Sequence, residues 1–552
     1  MRIRFHRIRG SFSVLAALLL AAPLAAQEIR TASEESGFER HTTHAEMMDY
    51  LVKLRATSQD MLLSEYGETR EGRVLPYVIL SRPLVTQPWE AMLLGRPIIA
   101  LNANVHGGER TLRESLLVLL RQLATRGTPE NAWLDQVVVI AAPQINPDGF
   151  HTGNNGSRGN AWGIDLNRDY VKLEHPEIAN YVGNVINRWH PHLFVDGHNG
   201  CSQPYNVCYQ GPSHASPDQR ITELADFQIF PLMDRRMQEN GFKSWYYTGG
   251  NATRWNTGGF QARIGRNYGG FVNAVGILFE SPGGQTLETG VRSGMVAFKS
   301  ILEYGVTNSA RLMEVVNRAR AETVALGNAA EGEVVVQMRY GPEDRTVQYE
   351  IMQGQGDERR AVAVTSDSLM KKPVPTLTRR RPYAYVLPRD AVDAVAMLKR
   401  HNILVERLEE PIELNVDAYT IADIRYQSQY NHAATVNVTV GEVTPITRTF
   451  PRGTYIVRTG QVLGRLVSHM LEAETDDNVL YWNTMDAWLP RPSQIAAAQD
   501  PDDDPDEPPT GRGGRGGRGG GGGRGGRGGG GPPLVPIFKL MTPMALPASI
   551  VQ

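Results

Sequence analysis

Four nearly continuous hydrophobic runs alternate with segments of helical periodicity between residues 38 and 310. The runs cover residues 96–105, 135–145, 191–197 and 274–280. Runs without polar alternation are typical of strands that are buried on both faces of a sheet. We therefore expect an α/β fold with a mixed, largely parallel sheet and helices on both of its faces.

Two segments between these runs have the hydrophobic spacing of amphipathic helices. In residues 102–124, an apolar strand-like stretch is followed by His-Gly-Gly-Glu and then by a helical pattern. In residues 175–189, Pro176 lies in the first predicted turn, where proline is well tolerated. The hydrophobic positions of this second segment fall on one helical face, at Ile178, Tyr181, Val182, Val185, Ile186 and Trp189.

The pattern changes at about residue 330, where short and often alternating hydrophobic stretches predict strands. One helical pattern, at residues 389–402, interrupts them. We therefore expect a smaller β-rich C-terminal domain over residues 330–490, beside the α/β domain over 38–310. Stability, shaping of a substrate cleft and glycan binding all remain open as roles for the smaller domain.

Length and charge restrict the possible classes of protein. A chain of 552 residues is too long for one ordinary core, which agrees with at least two domains. Its 57 Lys and Arg residues nearly balance its 59 Asp and Glu residues. The overall charge therefore gives no reason to expect a nucleic-acid partner or an anionic membrane surface.

The first 26 residues have the composition of a secretory signal peptide. An Arg-rich start is followed by an apolar run and then by small residues that end at Ala26. The apolar run is too short to span a bilayer comfortably, and no later stretch has a transmembrane pattern. We expect a secreted or periplasmic protein with no membrane anchor after cleavage.

Two segments near the C-terminal end have unusual composition. Residues 498–532 are acidic and Pro-rich and then consist of Arg-Gly-Gly repeats, so they lack the apolar content needed for a core. Such repeats also permit an RNA-binding interpretation. We favour a flexible insertion without nucleic-acid binding, because no aromatic residues are interleaved and an acidic run adjoins the repeats. The apolar tail at 533–552 can return as a strand or a packing segment.

Cys201 and Cys208 are the only cysteines of the chain. In an exported protein two cysteines this close in sequence favour a small disulfide loop. Two free thiols and a cysteine-ligated zinc are the alternatives.

Histidine and glutamate residues lie at the ends of three of the four hydrophobic runs of the first domain. His106 and Glu109 follow the first run, His198 follows the third, and Glu280 closes the fourth. In an open α/β sheet, ligands bind beyond the carboxyl ends of the strands. Two imidazoles, one carboxylate and an open position form a typical catalytic zinc site. Alternatively, Glu109 favours only the following helix dipole and His106 is an ordinary loop residue.

Five motifs in this order resemble the zinc carboxypeptidase (metallocarboxypeptidase) family, in a secreted bacterial-type form. The resemblance covers residues 38–310, about half of the chain. The motifs are His106-x-x-Glu109, Asn146–Gly149, Asp165-x-Asn167-Arg168, His198 and Glu280.

The resemblance implies one zinc ion per chain, held by His106, Glu109 and His198, with Asp165 orienting a ligand histidine. It also implies that Glu280 is the general base that takes a proton from water. The alternatives are a structural carboxylate at Glu280 and a turn residue at Asp165. His190 and His192 compete with His198 as third ligand, although both lie at the start of the predicted strand.

Three further residues receive substrate roles from the resemblance. Arg158 would polarise the scissile carbonyl and stabilise the oxyanion, unless it is an ordinary surface arginine. Asn167 and Arg168 would bind the terminal carboxylate of the substrate, because a guanidinium group matches a carboxylate in a bidentate contact. The implied substrates are peptides with a free C-terminal carboxylate.

The chain also departs from the family pattern. The family's mobile tyrosine has no clear match, since Tyr246, Tyr247 and Tyr268 are all candidates. The residues after His198 differ from the small hydroxyl-bearing residues that the family often has there. The leading hypothesis is a secreted zinc metallocarboxypeptidase. An amidohydrolase acting on cell-wall peptides or acyl-amino acids, and a non-catalytic binding protein on the same scaffold, are the alternatives.

Overall fold

The computed structural model describes residues 28–250, 254–429, 432–490, 495–496 and 533–551. The predicted signal peptide at 1–26 and the low-complexity segment at 498–532 lie outside the described residues.

The described α-helices are numbered in chain order. They are α1 (Ala32–Glu35), α2 (His44–Thr57), α3 (Pro88–Leu93), α4 (Thr111–Ala124), α5 (Pro129–Ala132), α6 (Pro147–Phe150), α7 (Pro176–Tyr181), α8 (Asn187–Trp189), α9 (Gln219–Leu224), α10 (Phe230–Glu239), α11 (Gly265–Phe271), α12 (Leu287–Thr307), α13 (Ser309–Ala329), α14 (Val392–Arg400) and α15 (Gly464–Leu471). Two π-helical turns, Val182–Ile186 and Ala225–Ile229, connect α7 to α8 and α9 to α10.

The β-strands are numbered in the same way. They are β1 (Met61–Glu68), β2 (Val74–Leu80), β3 (Ile98–Ala103), β4 (Val138–Ala142), β5 (Leu193–Cys201), β6 (Val207–Gln210), β7 (Ser244–Tyr246), β8 (Thr248–Gly250), β9 (Trp255–Thr257), β10 (Val275–Pro282), β11 (Glu333–Pro342), β12 (Val347–Gln353), β13 (Arg360–Ser366), β14 (Leu369–Arg380), β15 (Ala384–Leu387), β16 (Glu406–Leu408), β17 (Ile412–Gln429), β18 (His432–Phe450), β19 (Tyr455–Arg458), β20 (Ile495–Ala496), β21 (Phe538–Leu540) and β22 (Ala548–Ile550).

An eight-stranded mixed sheet forms the first region, in the order β1-β2-β4-β3-β5-β10-β6-β7. Its central strands β4, β3, β5 and β10 are parallel neighbours, and these are the four strands predicted from the hydrophobic runs. Antiparallel pairs flank them on both sides. The predicted fold class, a mixed α/β sheet with a β-rich C-terminal region, is therefore confirmed.

Helices cover both faces of this sheet. Along β3, Ile98 and Ala100 belong to one hydrophobic core, whereas Ile99 and Leu101 belong to a second core. Successive side chains of a strand point to opposite faces, so one strand contributes to both cores. The helical segment 175–189 is observed as α7, a π turn and α8, and its six predicted hydrophobic positions are all buried.

The C-terminal region contains three sheets, and one of them continues into the first region. Strand β14 pairs in parallel with β9, with Leu369 opposite Trp255. The largest hydrophobic core also contains residues of both regions, for example Trp189 with Met470. The β-rich region is therefore packed directly on the sheet that carries the predicted site.

The segment 533–551 returns to the C-terminal sheet, where β21 lies between β15 and β17. Lys539 in β21 is buried, and its ammonium group lies 2.6 Å from a carboxylate oxygen of Glu472. The hydroxyl of Tyr385 donates a hydrogen bond to the same carboxylate. Removing one partner of a buried ion pair is strongly destabilising, so this contact fixes the position of β21.

In the described part of the chain, no helix is both long and apolar enough to cross a bilayer.

Candidate active site

The loop after β3 holds the first two predicted ligands in a tight turn. The backbone N–H of Glu109 donates to the carbonyl of His106, and the side-chain amide of Asn104 donates to the carbonyls of His106 and Glu109. Gly107 lies against another loop, since a Cβ atom there would stand 2.0 Å from the carbonyl carbon of Gly149. Its backbone does not have a positive φ. Close packing, rather than unusual backbone freedom, therefore requires glycine here.

Three side chains from two strand ends converge on one point. The Nδ1 atom of His106 lies 2.8 Å from one carboxylate oxygen of Glu109, and the Nδ1 atom of His198 lies 2.8 Å from the other. The two Nδ1 atoms are 3.2 Å apart. In the parallel register of β3 and β5, Ala103 lies opposite Gly197, which places His198 beside the turn after β3.

The outward ring nitrogens of both histidines contact buried carboxylates. The Nε2 atom of His106 lies 2.9 Å from Asp165, and the Nε2 atom of His198 lies 2.9 Å from Asp196. Asp196 is in turn fixed by the side-chain amide of Asn102. Carboxylates in this position set the tautomer of a metal-ligating histidine and make the ring more basic.

The electrostatics of the cluster favour a cation. Burial opposes ionisation of Glu109, but His106 and His198 outweigh it and hold the pKa of Glu109 well below its usual value. Burial acts to lower the pKa of His198, yet the carboxylates of Asp196 and Glu109 raise that pKa well above its usual value. The site thus stabilises positive charge at the place where the three donor groups meet.

Two imidazole nitrogens and a carboxylate are ligands that zinc prefers, and their mutual spacing fits coordination of one ion. Each of these donor atoms already faces the others rather than solvent, and the group is one of the potential metal-binding clusters of the described chain. The residues present therefore fit a zinc ion.

Glu280 lies directly beside this cluster. It is opposite His198 in the parallel pair β10–β5 and opposite Cys208 in the antiparallel pair β10–β6. Among the described residues, its Oε2 atom has no hydrogen-bond partner, although it is buried. Burial and the nearby carboxylate of Glu109 raise the pKa of Glu280 to about 8. A Cβ atom at Gly200 would stand 2.9 Å from Oε2, so glycine keeps the space before this carboxylate open.

A disulfide bond supports both neighbours of the Glu280 strand. Cys201 at the end of β5 is bonded to Cys208 of β6, with Cα atoms 5.5 Å apart. Pro282 of β10 is opposite Cys201, and Glu280 is opposite Cys208. The bond therefore ties together the two strands that flank the carboxylate.

The three proposed substrate-binding residues surround Asp165. The Nε group of Arg158 donates to Asp165 over 2.8 Å, and Arg158 Nη1 lies 3.9 Å from Glu109. Asn167 accepts a hydrogen bond from the backbone N–H of Gly265 and lies 3.4 Å from the His198 ring. Arg168 is buried and follows directly in the chain. The structure therefore brings every predicted site residue into one neighbourhood.

The competing histidines lie at the opposite end of β5. His190 ends helix α8 in a left-handed conformation. His192 accepts the backbone N–H of Ile98 at its Nδ1 atom. Neither belongs to the cluster of His106, Glu109 and His198.

Two of the tyrosine candidates are engaged in buried structural contacts. The hydroxyl of Tyr246 donates to Asp226, and that of Tyr268 lies 2.9 Å from the ring of His401. The backbone of Tyr247 pairs with Tyr209. None of these contacts places a tyrosine hydroxyl at the metal cluster.

Sequence reasoning missed Asp196, although a signal was present. Asp196 and His198 are two residues apart on one strand, so their side chains point to the same face of the sheet. An acidic residue two positions before a ligand histidine on a strand therefore indicates a partner for the imidazole ring.

Comparison with known proteins gives one family. Residues 47–258 match the family model described as zinc carboxypeptidase. This stretch contains all three proposed ligands and Arg158, Asp165, Asn167 and Arg168, and it ends before Glu280.

Several relatives of the chain are named as carboxypeptidases. A probable carboxypeptidase 2 of Trichophyton verrucosum (strain HKI 0517) is 24% identical over 467 residues, which is 78% of this chain and 85% of the fungal protein. Carboxypeptidase D of Mus musculus is 33% identical over 133 residues, which is 20% of this chain and 10% of the mouse protein. A metallo-carboxypeptidase of Burkholderia cenocepacia aligns with a TM-score of 0.38 and 20% identity, over 47% of this chain and 68% of that one.

Proposed function

We propose that the chain is a zinc metallocarboxypeptidase that hydrolyses the C-terminal peptide bond of peptides, because residues 47–258 match the zinc carboxypeptidase family model. The observation that carries the proposal is the convergence of two Nδ1 atoms and one carboxylate, with the outward ring nitrogens held by Asp165 and Asp196.

His106, Glu109 and His198 would hold one zinc ion per chain. When bound there, zinc supplies Lewis acidity toward the scissile carbonyl and lowers the pKa of water. Asp165 and Asp196 keep each imidazole in the tautomer that presents Nδ1 to the ion, because each carboxylate accepts the proton on Nε2.

Glu280 is proposed as the general base. Its unpartnered Oε2 atom can take a proton from the attacking water and pass it to the leaving amine. Burial and the Glu109 carboxylate raise the pKa of Glu280 to about 8 in the metal-free protein, so the carboxyl group is mostly protonated there at neutral pH. A bound cation beside it will lower that pKa, because opposite charge favours the ionised form.

Arg158, Asn167 and Arg168 are proposed to bind the substrate. Arg158 lies at the rim and its guanidinium group reaches toward Glu109, so it can stabilise negative charge on the carbonyl oxygen. Arg168 and Asn167 also adjoin Asp165, and we propose that they pair with the terminal carboxylate.

We also propose that the protein is exported. The support is the composition of residues 1–26 together with the disulfide bond between Cys201 and Cys208, which forms and persists in oxidising compartments.

The deciding experiment compares peptides with a free C-terminus and the same peptides with a C-terminal amide. Charge-assisted hydrogen bonds are roughly twice as strong as neutral ones, so free peptides should be cleaved far better. Arg168→Ala should remove most of this preference, while Arg188→Ala, a surface control on α8, should keep it. Equal cleavage of both substrate forms by the unmodified protein would refute the exopeptidase and favour the amidohydrolase alternative.

A further inference from the structure

A second cluster of possible metal ligands lies where the two regions of the molecule meet. It consists of His214, His469 and Asp476, and is called the interface cluster below. One donor atom from each residue lies within 4.8 Å of the others. His214 lies in the loop after β6, His469 lies in α15, and Asp476 follows α15. The cluster therefore draws on the sheet that carries the active site and on the C-terminal region.

His469 is a buried imidazole without a protein partner that satisfies it. Its side chain is 1% exposed, and neither ring nitrogen forms a hydrogen bond with a described residue. Buried polar groups in native proteins are almost always satisfied, so such a ring calls for an explanation. A metal ion, which accepts the lone pair of a ring nitrogen, would satisfy this imidazole.

The distance between His469 and Asp476 matches tetrahedral coordination of one ion better than it matches a hydrogen bond. The Nε2 atom of His469 lies 3.4 Å from a carboxylate oxygen of Asp476. Zinc–nitrogen and zinc–oxygen bonds of about 2.0–2.1 Å at tetrahedral angles separate two ligand atoms by about 3.3–3.4 Å. The rings of His214 and His469 are nearly perpendicular, with centroids 5.3 Å apart. Two imidazoles can therefore point to one ion from different directions.

Charge and access at the interface cluster also suit a cation. Asp477, next to Asp476, pairs with the guanidinium group of Arg263 at 3.5 Å, so this neighbouring positive charge already has a counter-ion. The side chain of Asp476 is 28% exposed, which leaves a route for an ion and space for a water ligand.

One contact must change for His214 to act as a ligand through Nε2. The Nδ1 atom of His214 accepts the backbone N–H of Ser216 at 2.9 Å, which places the ring proton on Nε2. Ligation moves the proton to Nδ1 and turns that N–H away. The loss of one hydrogen bond is a small cost beside coordination of a divalent ion by two imidazoles and a carboxylate.

We propose that the interface cluster binds a divalent transition metal, zinc being the best match to its donors, and that the ion links α15 to the loop after β6. The site is separate from the proposed catalytic site. Its expected effect is on the cohesion of the two regions rather than on turnover.

Metal counting on the purified full chain tests the proposal. The protein is stripped with a chelator, reloaded with zinc and dialysed, and zinc per chain is measured by atomic emission. The unmodified protein should hold two ions, Asp476→Asn and His469→Ala should each hold one, and His198→Ala should hold one. Asp486→Asn, a nearby carboxylate outside the cluster, should still hold two.

Combining the substitutions separates the two sites. His198→Ala with Asp476→Asn should hold no zinc, and a chelator should lower the melting temperature of His198→Ala but not that of the double variant. A count of one in the unmodified protein that Asp476→Asn leaves unchanged would overturn the proposal, as would two ions in both interface variants. Failure of the catalytic assignment would instead show as two zinc ions still held by His198→Ala. If His469→Ala does not fold, Asp476→Asn carries the test, because its side chain is partly exposed.

Discussion

The two histidine–carboxylate clusters of this protein differ in how their imidazoles are held. In the proposed catalytic cluster of His106, Glu109 and His198, His106 follows β3 and His198 lies in the neighbouring parallel strand β5. Buried carboxylates contact the outward nitrogens of both rings. In the interface cluster, His469 lies on a helix and has no such support among the described residues. His214 contacts only a backbone N–H with its Nδ1 atom.

This difference in ring support indicates which role suits each cluster. Carboxylate partners fix ring orientation before an ion arrives, which a catalytic site needs because small displacements of reacting groups are costly. A cluster assembled from two regions of the chain has no such constraint, and its ligands come together only when those regions pack. The first arrangement suits chemistry and the second suits stabilisation of an interface.

The largest expected effect separates the two clusters by activity. His198→Ala should lose the catalytic zinc and at least about 10³-fold in kcat/KM, since a catalytic metal contributes several kcal/mol to transition-state stabilisation. His192→Ala is the matched control just before the same strand, because His192 accepts a hydrogen bond from Ile98 and does not belong to the cluster. Peptidase assays and zinc analysis of both variants measure the difference. Near-normal turnover of His198→Ala would remove His198 from the site.

Glu280→Gln should retain zinc but lose activity by about 10²- to 10⁴-fold, because an amide cannot take the proton from water. Equal zinc content with low kcat would locate the defect in proton transfer. Asp476→Asn should change kcat only slightly in the same assay. A Glu280→Gln enzyme that turns over normally would contradict the proposed base.

The same substitution should stabilise the metal-free protein, and the gain depends on pH. The folded-state pKa of Glu280 is raised to about 8 from an ordinary value near 4.5, so the neutral acid is preferred on folding. The carboxyl group therefore costs stability progressively as pH rises from about 4.5 to 8. Glu280→Gln should then be more stable at pH 8 by on the order of 1–4 kcal/mol and little different at pH 4. Urea unfolding of the stripped proteins measures this, with Glu288→Gln as an exposed control. A gain that is independent of pH would contradict the assigned shift.

Removing a carboxylate partner should weaken zinc binding less than removing a ligand. Asp196→Asn should lower zinc affinity by about 10- to 100-fold, which is the usual effect of such partners. Asp165→Asn should lower zinc affinity by a similar factor, and both variants should keep the ion of the interface cluster. This result would separate the two clusters more clearly. Competition with a chromophoric chelator measures the affinities. An unchanged affinity in Asp196→Asn would show that its contact with His198 is only structural.

The smallest expected effect concerns residues 498–532. Their composition gives them no means to form a core. Excision should leave kcat/KM and zinc content unchanged. Tight, salt-sensitive RNA binding by the intact protein, lost on excision, would support the function that we set aside.

The catalytic cluster could be predicted from sequence because regular structure orders it. Continuous apolar runs indicated the parallel strands, and parallel strands bring their carboxyl ends to one edge, so His106 and His198 had to approach each other. No such rule predicts the interface cluster, since His214 and His469 are far apart in sequence and His469 lies on a helix rather than at a strand end. Helix α15 was also not predicted, although Leu463, Leu466, Val467 and Met470 have helical spacing.

The place of strand β21 has a consequence for the order in which the molecule assembles during synthesis. Strands β15 and β17 both pair with β21, which lies more than a hundred residues after them in the chain. A ribosome therefore releases Glu472 before Lys539, and in that interval the Glu472 carboxylate lacks the ammonium group with which it pairs in the folded protein. The C-terminal sheet therefore stays incomplete until β21 has been synthesised. Contacts between such distant segments form slowly, so closure of this sheet should be a late event in folding.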